Sequence, residues 1–481
     1  MIEIVERTVY VYCRCESIDE VRILREGLTF SKKILPFRRR PIVQKTCLYI
    51  RRGQVVVAFR GLTLEIETIL KKHKILYRKT VEYEKLKPSL SPASYSMVST
   101  LRPYQTKALQ EVIMNNGGII WMATNAGKTE IAGAVLHTYS KSKFLYLVHR
   151  LELLDQTVSR FRDKFGLTVG IISSSEQDLD STITVAMINT VYSRRDELAE
   201  FLSRVDGVIV DECHHSAGKM YREVVRRCTA SSFRLGMTGT LSQDKAGRLS
   251  VIKLFGPVVY RITNRDLIDS DYSTPARVLI MSGEWGTDIG PRVRQWVQME
   301  RMGLQSNLWH NVYMEAFIKN TARNKAIAGA VSQLTNYGYT GIVVFVDYIE
   351  HGETLSTLTG LPFVSAQSSD RDTIFEQFKQ GKLNGLVTSP ILEEGIDVSR
   401  ISVLVIASGK KSQIKLLQRV GRGLRKEEGK DEVLIVDLMD DEIPMLAKHT
   451  DKRLEVYRQD GFPVDFVTLK TFSSKLVENK E

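Results

Sequence analysis

Two tandem α/β domains, each a doubly wound parallel sheet, preceded by a small α+β domain, are the fold class this sequence predicts. Three patterns predict it. Short, wholly apolar strands alternate with helical segments from residue 102 to about 260, and the same alternation returns from 341 to 437. The first 85 residues instead mix β-branched alternation with two helix-like stretches. Strands buried on both faces read as continuous apolar runs, the mark of a parallel sheet covered by helices on both sides.

In the leading module, strands are predicted over 8–13, 46–50 and 55–59 and helices over 18–26 and 63–73. Cys13 and Cys15 stand on one face of a strand with no His nearby, so they read as strand alternation and not as half a metal site. Residues 1–85 carry nineteen Lys/Arg against ten Asp/Glu, an excess of nine in a chain whose net charge is +12. Arg38, Arg39, Arg40, Arg51, Arg52, Lys71, Lys72, Arg78 and Lys79 are interleaved with Phe37, Tyr49, Phe59 and Tyr77, a mixture suited to a phosphate backbone. The module is therefore expected to bind nucleic acid over 1–88, with Arg38, Arg39 and Arg40 in contact. A Ser/Pro-rich stretch without periodicity follows, so 89–100 is expected to be a linker.

The first sheet domain, 101–275, is predicted to hold strands at 118–122, 144–148, 169–172, 183–186, 208–210 and 233–237. The second, 331–470, should hold strands at 342–345, 363–364, 386–388, 403–407 and 433–436. Between them, 276–330 is expected to be a helical connection holding Trp285, Trp296 and Trp309. These either pack a helix or offer bases a stacking surface, and the burial usual for Trp favours packing. Residues 471–481 are expected to be a frayed tail.

A chain of 481 residues fits about three domains at roughly 150 residues each. Its longest apolar runs, at 341–346 and 403–407, fall far short of the roughly 20 residues that cross a bilayer, so no membrane span is expected. The start Met1-Ile2-Glu3-Ile4-Val5-Glu6 lacks the basic opening and apolar core of a signal peptide. Five cysteines point to a reduced, cytoplasmic protein.

Chemistry concentrates at two strand exits. Ile119 to Met122 is followed by Ala123, Thr124, Asn125, Ala126, Gly127, Lys128 and Thr129, a turn of small residues opening a helix. Its backbone N–H groups and helix dipole suit an anion, with Lys128 reaching terminal phosphates and the Thr129 hydroxyl on a metal. The usual first Gly of such a loop is Met122 here. The run Val208 to Val210 ends in Asp211-Glu212-Cys213-His214, 83 residues after Lys128, room for two or three βα units between neighbouring strands. Two adjacent carboxylates at the exit of a buried strand suit magnesium and an attacking water. Late in the second domain, Gln418, Arg422 and Arg425 fall on one helix face, with Gly421 and Gly423 favouring close backbone approach to a partner.

At these residues the chain resembles the DExH-type helicases of superfamily 2. Arg102-Pro103-Tyr104-Gln105, the Gly127-Lys128-Thr129 loop, Asp211 to His214, Thr238-Gly239-Thr240, Gly395-Ile396-Asp397 and Gln418 to Arg425 occur in that family's order, over residues 100–440. Within it the chain is similar to the phage UvsW-type recombination helicases, through the basic first module, Asn189-Thr190, Asn320 to Lys325 and Leu254 to Tyr260.

The resemblance implies two RecA-like domains that use ATP and Mg2+. It implies that Arg102 and Gln105 read the adenine, and that Thr124, Asn125, Ala126, Gly127, Lys128 and Thr129 cradle the phosphates. Thr129 and Asp211 would hold magnesium, and Glu212 would activate water. Gln418, Arg422 and Arg425 would meet the terminal phosphate, while Gly395 and Asp397 would touch the nucleotide when it binds. Thr238 and Thr240 would couple nucleotide state to movement by bonding the carboxylates. Arg150, Thr190 and Thr388 would grip a DNA backbone. The activity implied is ATP-dependent 3′ to 5′ unwinding or branch migration of forked and junction DNA in recombination, repair or replication restart. Single-stranded-DNA-binding or recombination proteins are the implied partners, with no membrane, and a monomer is expected. An RNA helicase, a duplex translocase that does not separate strands, and a scaffold built on an inactive motor are the competing readings. Cys213-His214 in place of Ala-Asp argues against the first, and intact Lys128, Glu212, Arg422 and Arg425 against the last.

Overall fold

The computed structural model describes residues 1–34, 42–89, 100–124, 126–242, 244–285, 289–302, 308–365, 367–389, 400–409, 424, 430–441 and 443–477. They fall into two compact units, one running to Ile262 and the other starting at Thr263.

The first module is built on a five-stranded sheet. Its strands belong to the series β1 (Ile2–Glu6), β2 (Tyr10–Arg14), β3 (Thr29–Ile34), β4 (Ile42–Cys47), β5 (Tyr49–Arg52), β6 (Val55–Phe59) and β7 (Tyr77–Val81). The order is β5-β6-β2-β1-β7, with β3 and β4 pairing as a separate antiparallel ribbon. Cys13 and Cys15 are both buried, as strand alternation requires, and Cys13 packs beside Ile4 and Val11 in the module's core. The helix Ile18–Gly27 begins in a capping box: Ser17 accepts from Glu20 N, and the Glu20 side chain accepts from Ser17 N. It buries Val21 and Leu24 against the sheet, together with Ile66 and Leu70 of the helix Thr63–Lys72.

The module shares its unit with the first parallel sheet and is seated on it. Leu249 of the helix Lys245–Phe255 belongs to the module's own core. A Cβ at Gly61 would collide with Ile252 O, so only glycine allows this approach. Lys245 Nζ pairs with Glu65 Oε1 at 2.7 Å, and Ser89 N donates to Thr138 O at 2.8 Å.

The first parallel sheet uses β8 (Gly117–Met122), β9 (Phe144–Val148), β10 (Gly170–Ile172), β11 (Ile183–Met187), β12 (Gly207–Val210), β13 (Phe233–Thr238) and β14 (Val258–Ile262). All seven run parallel in the order β10-β11-β9-β12-β13-β8-β14. β12 and β8 are not neighbours, contrary to the spacing argument. β13 lies between them and pairs Leu235 with both Ile209 and Gly118.

The second unit repeats the plan with β15 (Ala276–Ser282), β16 (Ile342–Phe345), β17 (Phe363–Val364), β18 (Gly385–Thr388), β19 (Val403–Ile406), β20 (Val433–Leu438) and β21 (Val464–Thr468). They form a parallel sheet in the order β17-β18-β16-β19-β20-β15-β21. Two expectations change here. Residues 276–282, expected to open a helical connection, form a strand held between β20 and β21. Residues 469–477, expected in part to fray, form a helix that buries Phe472 and Leu476. The helices after β15 keep Trp285 buried and pack Trp296 and Trp309 against Val293, Val312 and Phe317.

Three buried polar clusters in this unit are closely matched. Arg323 donates Nε to Asp440 Oδ1 at 2.8 Å and Nη2 to Oδ2 at 3.2 Å, and Trp285 Nε1 adds a bond to Oδ1 at 3.1 Å. Arg453 makes the same fork on Asp437, at 2.8 and 3.1 Å. His351, fully buried, sits with Nε2 3.1 Å from Asn324 Oδ1 and Nδ1 3.3 Å from the Tyr313 hydroxyl. No described helix is long and apolar enough to cross a membrane.

Candidate functional site

The predicted residues of the first unit gather at the carboxyl edge of its parallel sheet, where open α/β folds place their ligands. β8 leads to Lys128, β9 to Arg150, β11 to Thr190, β12 to Asp211, and β13 ends at Thr238.

Gly127 is the N-cap of the helix Lys128–Thr138, with φ at +78° in the left-handed region. A Cβ there would collide with Gln105 Nε2, so conformation and space both require glycine. Gln105 is buried, accepts from Arg102 N at 2.9 Å and donates to Ala126 O at 3.0 Å. Tyr104 donates its hydroxyl to the same carbonyl at 3.1 Å. The amide expected to read an adenine thus braces the loop backbone, keeping one N–H and one lone pair for other partners. Asn125 lies outside the described residues.

Lys128 Nζ stands 3.9 Å from Glu212 Oε1, bringing loop and tetrad together. Glu212 itself sits at φ +47°, an uncommon left-handed conformation for a residue with a side chain. It turns the chain from β12 into the short helix Cys213–Ala217. Its N–H donates to Asp211 Oδ1 at 2.8 Å. Burial and then the Glu212 charge raise the Asp211 carboxyl to about 6. Burial works upward on Glu212 too, but Lys128, followed by His214, outweighs it and holds that carboxyl at about 2. Of the pair, Glu212 is the one that stays ionised furthest into acid.

The sequence did not single out His214 as a link, yet it joins the tetrad to β13. Its Nδ1 lies 3.0 Å from Thr238 Oγ1 and 3.2 Å from Glu212 Oε2. Thr238 Oγ1 donates to Thr240 O at 2.7 Å and accepts from Thr240 N at 3.1 Å. With its proton so committed, Thr238 must accept from His214, which places the imidazole proton on Nδ1. The alignment favours Thr238, and Glu212 Oε2 is left buried without a hydrogen-bond partner among the described residues, as is His214 Nε2. Thr238 and Thr240 were expected to bond the carboxylates. Thr238 reaches them through the imidazole, and the Thr240 hydroxyl is buried without a hydrogen-bond partner among the described residues. The only sequence signal for this role was the fourth letter of the tetrad.

The glycine-shaped cradle beside Lys128 fits a nucleotide phosphate, and the orphaned acceptors Glu212 Oε2 and His214 Nε2 fit a donor such as water. Among the described residues no group of three or more His, Cys, Asp or Glu could hold a metal. A magnesium ion here would take one or two protein oxygens, from Asp211 and Thr129, and the rest from phosphate and water, its usual habit.

The remaining predicted residues divide. Arg150 is exposed and Thr190 half-buried, on neighbouring strand exits. Thr388 is fully buried and donates its hydroxyl to Ser389 O at 3.0 Å, so it offers no surface to a nucleic-acid strand. Arg38, Arg39, Arg40, Gly395, Asp397, Gln418, Arg422 and Arg425 lie outside the described residues.

Residues 99–243 match the family model for the res subunit of Type III restriction enzymes, and residues 329–427 match the helicase conserved C-terminal domain. The DNA 3'-5' translocase XPB2 of Sulfurisphaera tokodaii is 26% identical over 70% of this chain and 81% of its own length. The ATP-dependent DNA helicase uvsW of Enterobacteria phage T4 is 23% identical over 70% of this chain and 68% of its own. A fragment of a putative HsdR subunit of a type I restriction enzyme from Vibrio vulnificus superposes with a TM-score of 0.55 at 21% identity, over 79% of this chain and 72% of that one, and bears on the fold alone. The two helicase domains imply use of a nucleotide, in keeping with the loop and tetrad. The chain belongs to the superfamily 2 helicases, with similarity to the UvsW and XPB enzymes.

Proposed function

We propose that the chain is an ATP-driven DNA helicase or translocase that unwinds or branch-migrates forked and junction DNA. The observation that carries this is the cluster in which Lys128 meets Glu212 and Thr238 meets His214 at one sheet edge. Lys128 binds the terminal phosphates, and the backbone N–H groups of the loop hold the remainder. Magnesium, held by Thr129 and Asp211, supplies charge neutralisation of the phosphate oxygens when bound. Glu212, kept ionised, orients the attacking water and takes its proton as the water oxygen bonds the terminal phosphorus and the bond to the leaving diphosphate breaks. Its relay through His214 to Thr238 gives β13 a hydrogen bond that depends on the charge at Glu212. Gln418, Arg422, Arg425, Gly395 and Asp397 keep the roles the family resemblance gives them.

Arg150 and Thr190 contact a strand's phosphates, a grip with weak sequence preference and strong salt dependence. The basic first module, Arg38, Arg39 and Arg40 included, adds affinity for the duplex arms of a branched substrate. Lys128→Ala is expected to abolish DNA-stimulated ATP hydrolysis while DNA binding persists. Unchanged hydrolysis in that variant refutes the proposal. A panel of fork, flap, four-way junction, plain duplex and RNA substrates separates it from an RNA helicase and from a duplex translocase, the latter favoured by the translocase name of the XPB2 relative.

A further inference from the structure

Arg234, the second residue of β13, is 1% exposed, and none of its three side-chain nitrogens has a hydrogen-bond partner among the described residues. Strand alternation puts it on the same face as Gly236, where an added Cβ would meet Cys213 Sγ and the Phe255 ring. That face looks toward the first module. Arg60, at the end of β6, donates Nη2 to Ser232 O at 2.7 Å, two residues before Arg234, and stacks its guanidinium 4.4 Å above the Tyr83 ring. Its Nη1 is likewise buried and unpartnered.

A guanidinium cannot shed its proton, so unlike a buried lysine or carboxyl it cannot escape burial by neutralising itself. Burial, and after it the nearby Arg60 charge, lowers Arg234 only to about 9, so both groups stay cationic at neutral pH. Cys228, Tyr10 and Tyr83 also act on Arg234, and the Glu6 carboxylate acts on Arg60. Glu6 can offset one of these two adjacent buried cations, while Arg234, with three of the four idle nitrogens, still needs a partner, because buried charges persist only when paired.

We propose that a small inorganic anion of chloride size is held between Arg234 and Arg60, at the seam where the basic module meets β13. It would accept hydrogen bonds from both guanidinium groups and fasten the module to the strand whose far end carries Thr238. The inference is independent of the proposed function.

The test uses the full chain. Crystals soaked in bromide should show an anomalous peak within hydrogen-bond reach of both guanidinium groups. In urea unfolding at constant ionic strength, replacing gluconate by chloride should shift the folding equilibrium of the first unit about tenfold once chloride exceeds its dissociation constant tenfold. Arg234→Met should remove that dependence, and should it fail to fold, the two salts on the unaltered protein still decide. An ordered water at the position, or equal midpoints in the two salts, overturns the proposal. A bromide peak without the linked stability marks an adventitious ion only, and overturns it equally.

Discussion

Acidification should destabilise the second unit through His351. The ring is fully buried. Asn324 Nδ2 donates to Phe317 O and Ile318 O, both at 2.9 Å, which fixes its Oδ1 toward the imidazole. His351 Nε2 therefore carries the proton, and Nδ1 accepts from the Tyr313 hydroxyl, so a second proton on Nδ1 has to reverse that bond. Burial, then the Arg323 charge, lowers the imidazole from 6.5 to about 3. Below pH 6.5 the unfolded chain takes up a proton that the folded one refuses, so stability is complete above that pH and is lost as pH falls toward 3. At pH 5 the separation from the unfolded value is about 1.5 units, or about 2 kcal/mol at 1.36 kcal/mol per unit. Urea unfolding followed by Trp emission weights this unit, which holds three of the four Trp. His351→Gln keeps a donor toward Asn324 without the titration. Between pH 7.5 and 5 the unaltered protein should lose about 2 kcal/mol more than His351→Gln. Parallel losses in the two proteins would refute the reasoning, and the difference removes contributions from other titrating groups.

Three further outcomes follow from the same geometry. Glu212→Gln should lower ATP hydrolysis by about 10²–10⁴-fold while nucleotide binding, measured by calorimetry, is retained; loss of binding instead would make Glu212 a binding group. Gly127→Ala forces a side chain into the left-handed region, at about 1–2 kcal/mol, and against Gln105 Nε2, so nucleotide affinity should fall with the far-ultraviolet spectrum unchanged. Asp440→Asn strands the Arg323 charge and should destabilise the second unit by about 3–5 kcal/mol in urea, whereas Arg323→Met with Asp440→Leu should recover most of the loss.

Central strands were legible because burial on both faces leaves unbroken apolar runs: Phe144 to Val148 and Val403 to Ile406 are buried throughout. β14 and β21 were missed because they are half-buried, carrying Arg261 and Asp465 among their apolar residues. β1 and β7 were hidden for a related reason, since Glu3 in one and Arg78 to Val81 in the other face solvent. β15, buried along nearly all its length, has the composition of a strand but fell inside the stretch 276–330 that was read as a helical connection. At the site, residue types at strand exits announced Lys128, Asp211 and Glu212. Strand order could not be read from spacing, because any parallel neighbour is reachable through a βα unit, and so the insertion of β13 between β8 and β12 was invisible. The engagement of Gln105 with Ala126 O and the His214 bridge depend on side-chain directions in three dimensions, which no one-dimensional pattern records.

The seating of the first module on the helix Lys245–Phe255 changes what the chain between Ser89 and Thr100 has to do. Because Gly61, Glu65 and Ser89 are already fixed to the neighbouring domain, that stretch joins the two covalently without having to hold them together. A domain on a loose tether gives its neighbour only a diluted, length-dependent local concentration of whatever it captures. A docked one delivers its cargo at a set distance and angle, and a pull on either part is felt by the other without slack being taken up first. The basic module is in this sense a handle fused to the first sheet domain rather than a hook trailing behind it.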